Sequence, residues 1–274
     1  MKFAIETAGY GIVVPAGLAI AVAWSLLRVL PRDIAPLVAG ALRCASGFFT
    51  GFTALETGNL RPTTYWHWLP WLGAMASVVG PIGLMPRMPT VGRWVHWIAV
   101  AIGAGWLLVP TWSDLAPLRE VYVAVFSGGV FLPTILLERL ARMTSGNMLS
   151  LSLCASAFCG AVLMSAFVSL RFGLLAVAAA AAISGCSVVS FRGNARDLVR
   201  GMILVHFVIV SGLMLAGQLV AVLPSACFVL IPAAPLMLWP CELLPQPGVT
   251  NKRAIAIRAV AIALPLGLAF VVAL

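Results

Sequence analysis

The chain has 274 residues, of which 62% are hydrophobic and only 9% are charged. A soluble globular domain carries about 25% charged residues, so this composition excludes a soluble enzyme. Disorder is excluded as well, because it needs low hydrophobicity and many charges. The net charge of +9 lies in short gaps between apolar runs, which indicates membrane orientation signals rather than binding to nucleic acid.

The apolar runs predict ten membrane-spanning helices, so residues 1–274 are expected to form a single all-α integral membrane domain. The predicted spans cover residues 8–30, 34–55, 66–86, 94–112, 118–138, 147–169, 172–191, 200–221, 223–241 and 254–273. The first run is longer than the apolar region of a secretory signal, so we expect it to be retained. Residues 200–241 are too many for one crossing at about 1.5 Å per residue. They must fold back, as two spans or as a re-entrant hairpin.

The basic residues alternate between connections in a way that predicts sidedness. Odd-numbered connections hold twelve of them, namely Arg28, Arg32, Arg87, Arg93, Arg139, Arg142, Arg192, Arg196, Arg200, Lys252, Arg253 and Arg258. Even-numbered connections and the termini hold four, namely Lys2, Arg61, Arg119 and Arg171. The positive-inside rule therefore places both termini outside, and we expect a bacterial cytoplasmic membrane. The positive inner surface suits anionic headgroups, so membrane lipids are expected partners.

Aromatic side chains gather at the predicted span boundaries. The outer group is Tyr65, Trp66, Trp68, Trp71, Trp112 and Tyr122, and the inner group is Trp24, Trp94, Trp97 and Trp239. This distribution is typical of the aromatic belts at membrane interfaces. An alternative for the outer group is stacking against a ligand.

A weak three-span repeat recurs at an offset of about 82 residues. Its elements are Asp33, Pro36 and Ser46, then Asp114, Pro117 and Ser127, then Asp197 and Ser211. An odd number of spans per unit would invert each unit relative to the next, as in some transporters. Chance similarity in a chain rich in Ala, Leu and Gly is the alternative.

Arg43 is the clearest candidate for binding within a span, because it lies about seven residues into the second one. Its guanidinium could hold an anionic substrate or a lipid phosphate through two hydrogen bonds. The alternative is that it extends to the inner interface. The same span carries a small-residue stripe of Gly40, Cys44, Gly47 and Gly51. The stripe predicts close helix packing, with a substrate groove as the alternative.

The fifth predicted span has the composition of a broken helix. Gly128 and Gly129 weaken it, and Pro133 removes a backbone hydrogen bond. Broken helices near the midplane form binding sites in transporters. The predicted substrate-binding residues are Arg43, Ser127, Gly128, Gly129, Thr134 and Gln218. Alternatively, Gly and Pro are simply commoner in membrane helices.

The ninth predicted span contains several prolines and is expected to be kinked; they are Pro224, Pro232, Pro235 and Pro240. It would cross the membrane in the same direction as the fifth span. If the two meet, their irregular stretches could line a cavity together with Thr134 and Gln218.

Two histidines, His96 and His206, occupy the inner halves of the fourth and eighth predicted spans. Such a pair could ligate haem b or relay protons. Packed or interfacial histidines are the favoured interpretation. The six cysteines form no C-x-x-C pair, so we expect neither a metal site nor a cofactor.

The favoured function is a permease-like protein that binds or moves a small solute near span 118–138. No Asp or Glu lies near the centre of a predicted span, which weighs against ion-coupled transport. One alternative is a non-catalytic subunit or scaffold that binds other membrane subunits. A third is a lipid-modifying or haem-bearing enzyme, for which Glu138–Arg139 or Asp197–Arg196 would supply the acid and base. No catalytic residue is predicted.

Overall fold

The computed structural model describes residues 9–56, 61–113, 115, 118–190, 195–221, 224–243 and 251–274. Within these ranges the chain is a bundle of helices with no strand. The helices are α1 Val14–Val29, α2 Ala35–Leu55, α3 Leu69–Leu84, α4 Thr90–Leu108, α5 Arg119–Met143, α6 Gly146–Phe167, α7 Leu170–Ser190, α8 Ala195–Val220, α9 Ser225–Leu243 and α10 Asn251–Ala273. The all-α class is therefore confirmed.

Eight helices in the described ranges are long and apolar enough to cross a membrane. The other two, α3 and α7, overlap predicted spans but have shorter apolar stretches: α3 has 16 residues, and the apolar part of α7 is Leu170–Gly185. The helices are compatible with an integral multi-pass membrane protein. The count of ten spans and the sides of the termini stay predictions.

Several helix boundaries differ from the predicted spans. α5 continues to Met143 rather than ending near 138, and α8 begins at Ala195 rather than near 200. Both extensions carry charged residues, which apolar patterning excludes from a span. Arg142 lies in the first extension and Arg200 borders the second, and both pair with Glu138 of α5.

The helix α8 forms the centre of the bundle, and its residues 201–217 are all buried. It crosses α2 at very short range, because a Cβ on Gly40 would overlap the backbone of Leu198, and one on Gly201 would overlap that of Leu37. Gly47 of the predicted small-residue stripe also packs closely, against Pro15 of α1 and Ala182 of α7. The prediction of close packing along this stripe is therefore confirmed.

Two clusters of charged and polar side chains, here called layers, lie at opposite ends of the bundle. The Glu138 layer consists of Arg93, Glu138, Arg142, Asp197 and Arg200. The Glu56 layer consists of Glu56, Thr63, His67 and Arg171. Each layer draws on connections of a single predicted side, which is consistent with the alternation expected from the basic residues.

Some sequence expectations lie outside the described residues. They concern Lys2, Asp114, Pro117 and Arg192. The proposed repeat depends partly on Asp114 and Pro117, and so it stays a prediction.

Candidate functional site

A cavity of about 360 Å³ lies between α5, α8 and the first part of α9. Small-molecule sites typically occupy about 300–1,000 Å³. Of the residues predicted to bind substrate, Gly129 and Gln218 line this cavity. The structure therefore brings together the fifth, eighth and ninth predicted spans.

The α5 wall contains Gly129 and Pro133, but the helix is not interrupted there. It runs without a break from Arg119 to Met143, so the prediction of a broken helix is wrong. Pro133 removes only the amide that would bond to the carbonyl of Gly129, four residues earlier. Gly129 itself lines the cavity, and a Cβ added to it would meet no neighbouring atom.

The α9 wall also contains prolines, but here the α-helix is interrupted. Its first helical part, Ser225–Ala233, is followed by a 3-10 turn over Ala234–Met237. Pro232 leaves the carbonyl of Phe228 without its usual donor, and both residues line the cavity. Pro235 likewise cannot donate to the carbonyl of Ile231, which instead accepts the backbone N–H of Ala234 and, at 3.0 Å, the Ser156 hydroxyl. The predicted irregularity of this span is confirmed.

The polar groups of the cavity lie along one face of α8. Ser211 is 9% exposed, and its Oγ has no hydrogen-bond partner. Gln218, seven residues further on, donates from Nε2 to Oγ of Ser225 at 2.8 Å. Ser211 lies at the buried end of the cavity and Gln218 near its edge. Their seven-residue spacing separates them by about 10 Å along α8.

The remaining α5 candidates face away from the cavity lining. The Ser127 hydroxyl donates to the carbonyl of Ala101 on α4 at 3.2 Å, so it ties two helices together. The Thr134 hydroxyl donates to the carbonyl of Val130 at 2.7 Å, within α5 itself. Gly128 does not line the cavity. The sequence singled out α5, which lines the cavity, but it could not select the face of the helix.

Arg43 lies apart from the cavity as well. Its side chain is fully buried, so the alternative that it extends to the interface is wrong. None of its three guanidinium nitrogens has a hydrogen-bond partner. The surrounding packing between α2 and its neighbours gives the charge no visible compensation.

The two histidines differ in environment. His96 is half-buried, and its Nδ1 donates to the carbonyl of Gly92 at 2.6 Å. His206 is fully buried, and neither ring nitrogen has a partner. Neither histidine lines the cavity. In the part of the chain that the structure describes, no three His, Cys, Asp or Glu side chains are grouped to hold a metal ion.

The Glu56 layer contains an interaction that sequence reasoning missed. His67 Nδ1 lies 2.9 Å from the Thr63 hydroxyl, and its Nε2 lies 3.5 Å from Glu56 Oε2. Arg171 Nε donates to Glu56 Oε1 at 2.8 Å, and another guanidinium nitrogen donates to Oε2. This hydrogen bonding lowers the pKa of Glu56 below its usual value. Of these residues, only Arg171 stood out in the sequence, as a basic residue of an even-numbered connection.

The Glu56 layer resembles a hydroxyl–imidazole–carboxylate chain, but its bonds serve structure. Arg171 occupies both oxygens of Glu56. His67 Nδ1 also accepts the backbone N–H of Thr63 at 3.2 Å. The cluster therefore joins α2, the connection before α3, and α7.

The acid–base pairs expected for a lipid-modifying enzyme are arranged differently from the prediction. Glu138 bonds to Arg93, Arg142 and Arg200 rather than to its neighbour Arg139. Asp197 pairs with Arg200, at 3.0 Å. The carboxylates of this layer are thus held by guanidinium groups that do not give up protons near neutral pH.

Comparisons of the chain with protein-family models, with curated proteins and with solved structures found no match.

Proposed function

We propose that this protein is a permease-like membrane protein that binds and moves a small, uncharged solute in the cavity between α5, α8 and α9. The observation that carries the proposal is the cavity itself. Two of its walls are helical segments that contain a proline, Pro133 in α5 and Pro232 in α9. Backbone carbonyls without helical partners need another donor at membrane depth. A bound solute can supply such a donor.

The absence of charge from the lining supports an uncharged solute. All residues that line the cavity are apolar or neutral, and Arg43 is not among them. An ion placed there would lose its hydration without gaining a counter-charge, which is strongly unfavourable. The anionic solute suggested by Arg43 is therefore less well supported.

The packing of the small-residue stripe weakens the case for a scaffold. A face that binds another subunit should be available at the surface of the bundle. Gly40, Gly47 and Gly51 are instead covered by α8, α1 and α7 of the same chain.

Photolabelling tests the proposal with the purified protein in lipid nanodiscs. The probe is octanol that carries a diazirine, and peptide mass spectrometry locates the label. We expect saturable labelling of α5 and α9 peptides. Gly129→Trp, which fills the cavity, should abolish it.

The matched control is Gly103→Trp on α4. A Cβ at Gly103 also meets no neighbouring atom, but the residue does not line the cavity. The Gly103→Trp variant should be labelled to the same extent as the wild type. Labelling that does not saturate, or that persists unchanged in Gly129→Trp, would contradict the proposed site.

A further inference from the structure

The cavity opens sideways between two helices that diverge. The second part of α9 lies against α5, and Trp239 Nε1 donates to the carbonyl of Leu136 at 3.1 Å. Towards the other end of the bundle, the cavity separates α5 from Ser225–Ala233. The two helices thus form a cleft that is closed near Trp239 and has α8 as its floor.

The lips of this cleft are apolar and exposed. Val125 on α5 is 65% exposed and Val229 on α9 is 56% exposed, and both line the cavity. In a helix that crosses a membrane, an exposed valine faces hydrocarbon. The opening between these valines therefore leads to lipid.

The floor of the cleft combines apolar surface with a single buried hydroxyl. Ser211, Met214, Leu215 and Gln218 follow one another at helical spacing along α8. Ser211 is the deep member, and its hydroxyl is unpartnered. An unpaired buried hydroxyl is unfavourable, and an oxygen atom of a bound molecule would satisfy it.

We infer that the solute is an uncharged amphiphile dissolved in the bilayer, which enters through the α5–α9 cleft and bonds through one hydroxyl or carbonyl oxygen to Ser211. This inference rests on the proposed function, because it concerns the same cavity. At about 30 Å³ per water-sized group, the volume holds roughly a dozen non-hydrogen atoms. The apolar body contacts Phe126, Met214 and Phe228, and the oxygen lies at the deep end.

Competition against the octanol photoprobe tests the class of ligand. Hexanol should reduce the labelling of the cavity at low concentration, whereas octanoate, octylammonium and 1,2,6-hexanetriol should leave it unchanged. Ser211→Ala should weaken the binding of the probe several-fold. Ser152→Ala is the matched control, because Ser152 is a buried serine whose hydroxyl already bonds to Leu149.

The results distinguish this inference from the proposed function. If octanoate or hexanetriol competes as well as hexanol, the site takes a charged or water-soluble molecule, and the inferred class is wrong. If Ser211→Ala is labelled to the same extent as the wild type, the inferred bond between Ser211 and the bound molecule is wrong. In both cases saturable labelling of the cavity survives. Its complete absence would instead overturn the proposed function.

Spin labels at the lips test the route of entry. The labels are attached to Val125→Cys and Val229→Cys in a variant whose native cysteines are replaced by alanine. Oxygen should relax these spin labels more than a water-soluble nickel chelate does. Val95→Cys on α4 is the control, because Val95 is also 56% exposed and does not line the cavity. Stronger relaxation by nickel at the two lips than at the control would show an aqueous opening and overturn lateral entry.

Discussion

Arg43 shows how far burial in this bundle departs from ordinary rules for charged residues. Arginine remains protonated in proteins, and burying its charge without a partner costs several kcal/mol. Its guanidinium is nonetheless completely buried and unpartnered. The other well-buried arginines, Arg93 and Arg200, share Glu138. Arg43 is therefore expected to reduce the stability of the state that the structure describes.

We expect Arg43→Met to raise the thermal stability of the purified protein. Methionine keeps much of the side-chain length and removes unsatisfied donors, each of which costs about 1–3 kcal/mol. The measurement is the midpoint of thermal unfolding in detergent. Arg32→Met, at an exposed position, is the control and should change the midpoint little. A lower midpoint for Arg43→Met would mean that the guanidinium has a stabilising partner.

Among the elements, the α2–α8 crossing depends on two residues without side chains. Gly40 meets the backbone of Leu198, and Gly201 meets that of Leu37. Backbones approach this closely only where the side chain is absent. The crossing also brings the first turns of both helices to the Glu138 end of the bundle.

Gly201→Ala is expected to destabilise the protein by about 1–3 kcal/mol or more, because its methyl group would overlap a backbone carbonyl. Gly128→Ala is the control, since a Cβ there meets nothing. That change should be neutral, or stabilising by up to about 1 kcal/mol from helix propensity. Unfolding by denaturant or by heat would compare the stabilities of the two variants. Equal stabilities would show that the helices separate easily.

Proline acts differently in α5 and α9, although both helices line the cavity. α5 continues through Pro133, whereas α9 changes to a 3-10 turn after Pro232. In α9 a second proline follows at Pro235, so two nearby backbone bonds are lost. A single proline can be accommodated within a helix that its neighbours hold, but closely spaced prolines interrupt it.

At the scale of the whole molecule, the Glu138 layer holds three helices together at one end. Oε1 of Glu138 accepts bonds from Arg93 of α4, Arg142 of α5 and Arg200 of α8. α5 and α8 also line the cavity. Any movement that opens the cavity toward this end must therefore break bonds to Glu138.

Glu138→Gln should destabilise the protein by about 3–5 kcal/mol, because it leaves the largely buried guanidinium of Arg93 without a counter-charge and leaves Arg200 with Asp197 alone. The midpoint of thermal unfolding of the purified variant, compared with that of the wild type, would measure the effect. Glu120→Gln removes an exposed carboxylate near the start of α5 and should cost far less. If the two variants melted together, the layer would contribute little to stability.

The predicted sidedness can be tested with single cysteines at the two ends. In a variant without native cysteines, Thr63→Cys should react with a membrane-impermeant maleimide in intact bacterial cells. Ser145→Cys, at the Glu138 end, should react only after the cells are made permeable. Both positions are exposed, so access depends on side alone. Reaction of Ser145→Cys in intact cells would reverse the predicted orientation.

The pattern of apolar runs alone determined that this chain is all-α and compatible with an integral membrane protein, because the lengths of apolar runs and the positions of arginines can be read directly from the sequence. It also raised the possibility that the fifth and ninth spans meet and line a cavity with Thr134 and Gln218; of these two residues only Gln218 lines the cavity. Only the tertiary structure decided that Ser127 bonds to α4, that Thr134 bonds within α5, and that Arg43 is buried away from the cavity. The reason is physical: in a helix that is apolar on every side, hydrophobicity does not show which face meets lipid, a neighbour or a cavity. Packing among the helices makes that choice.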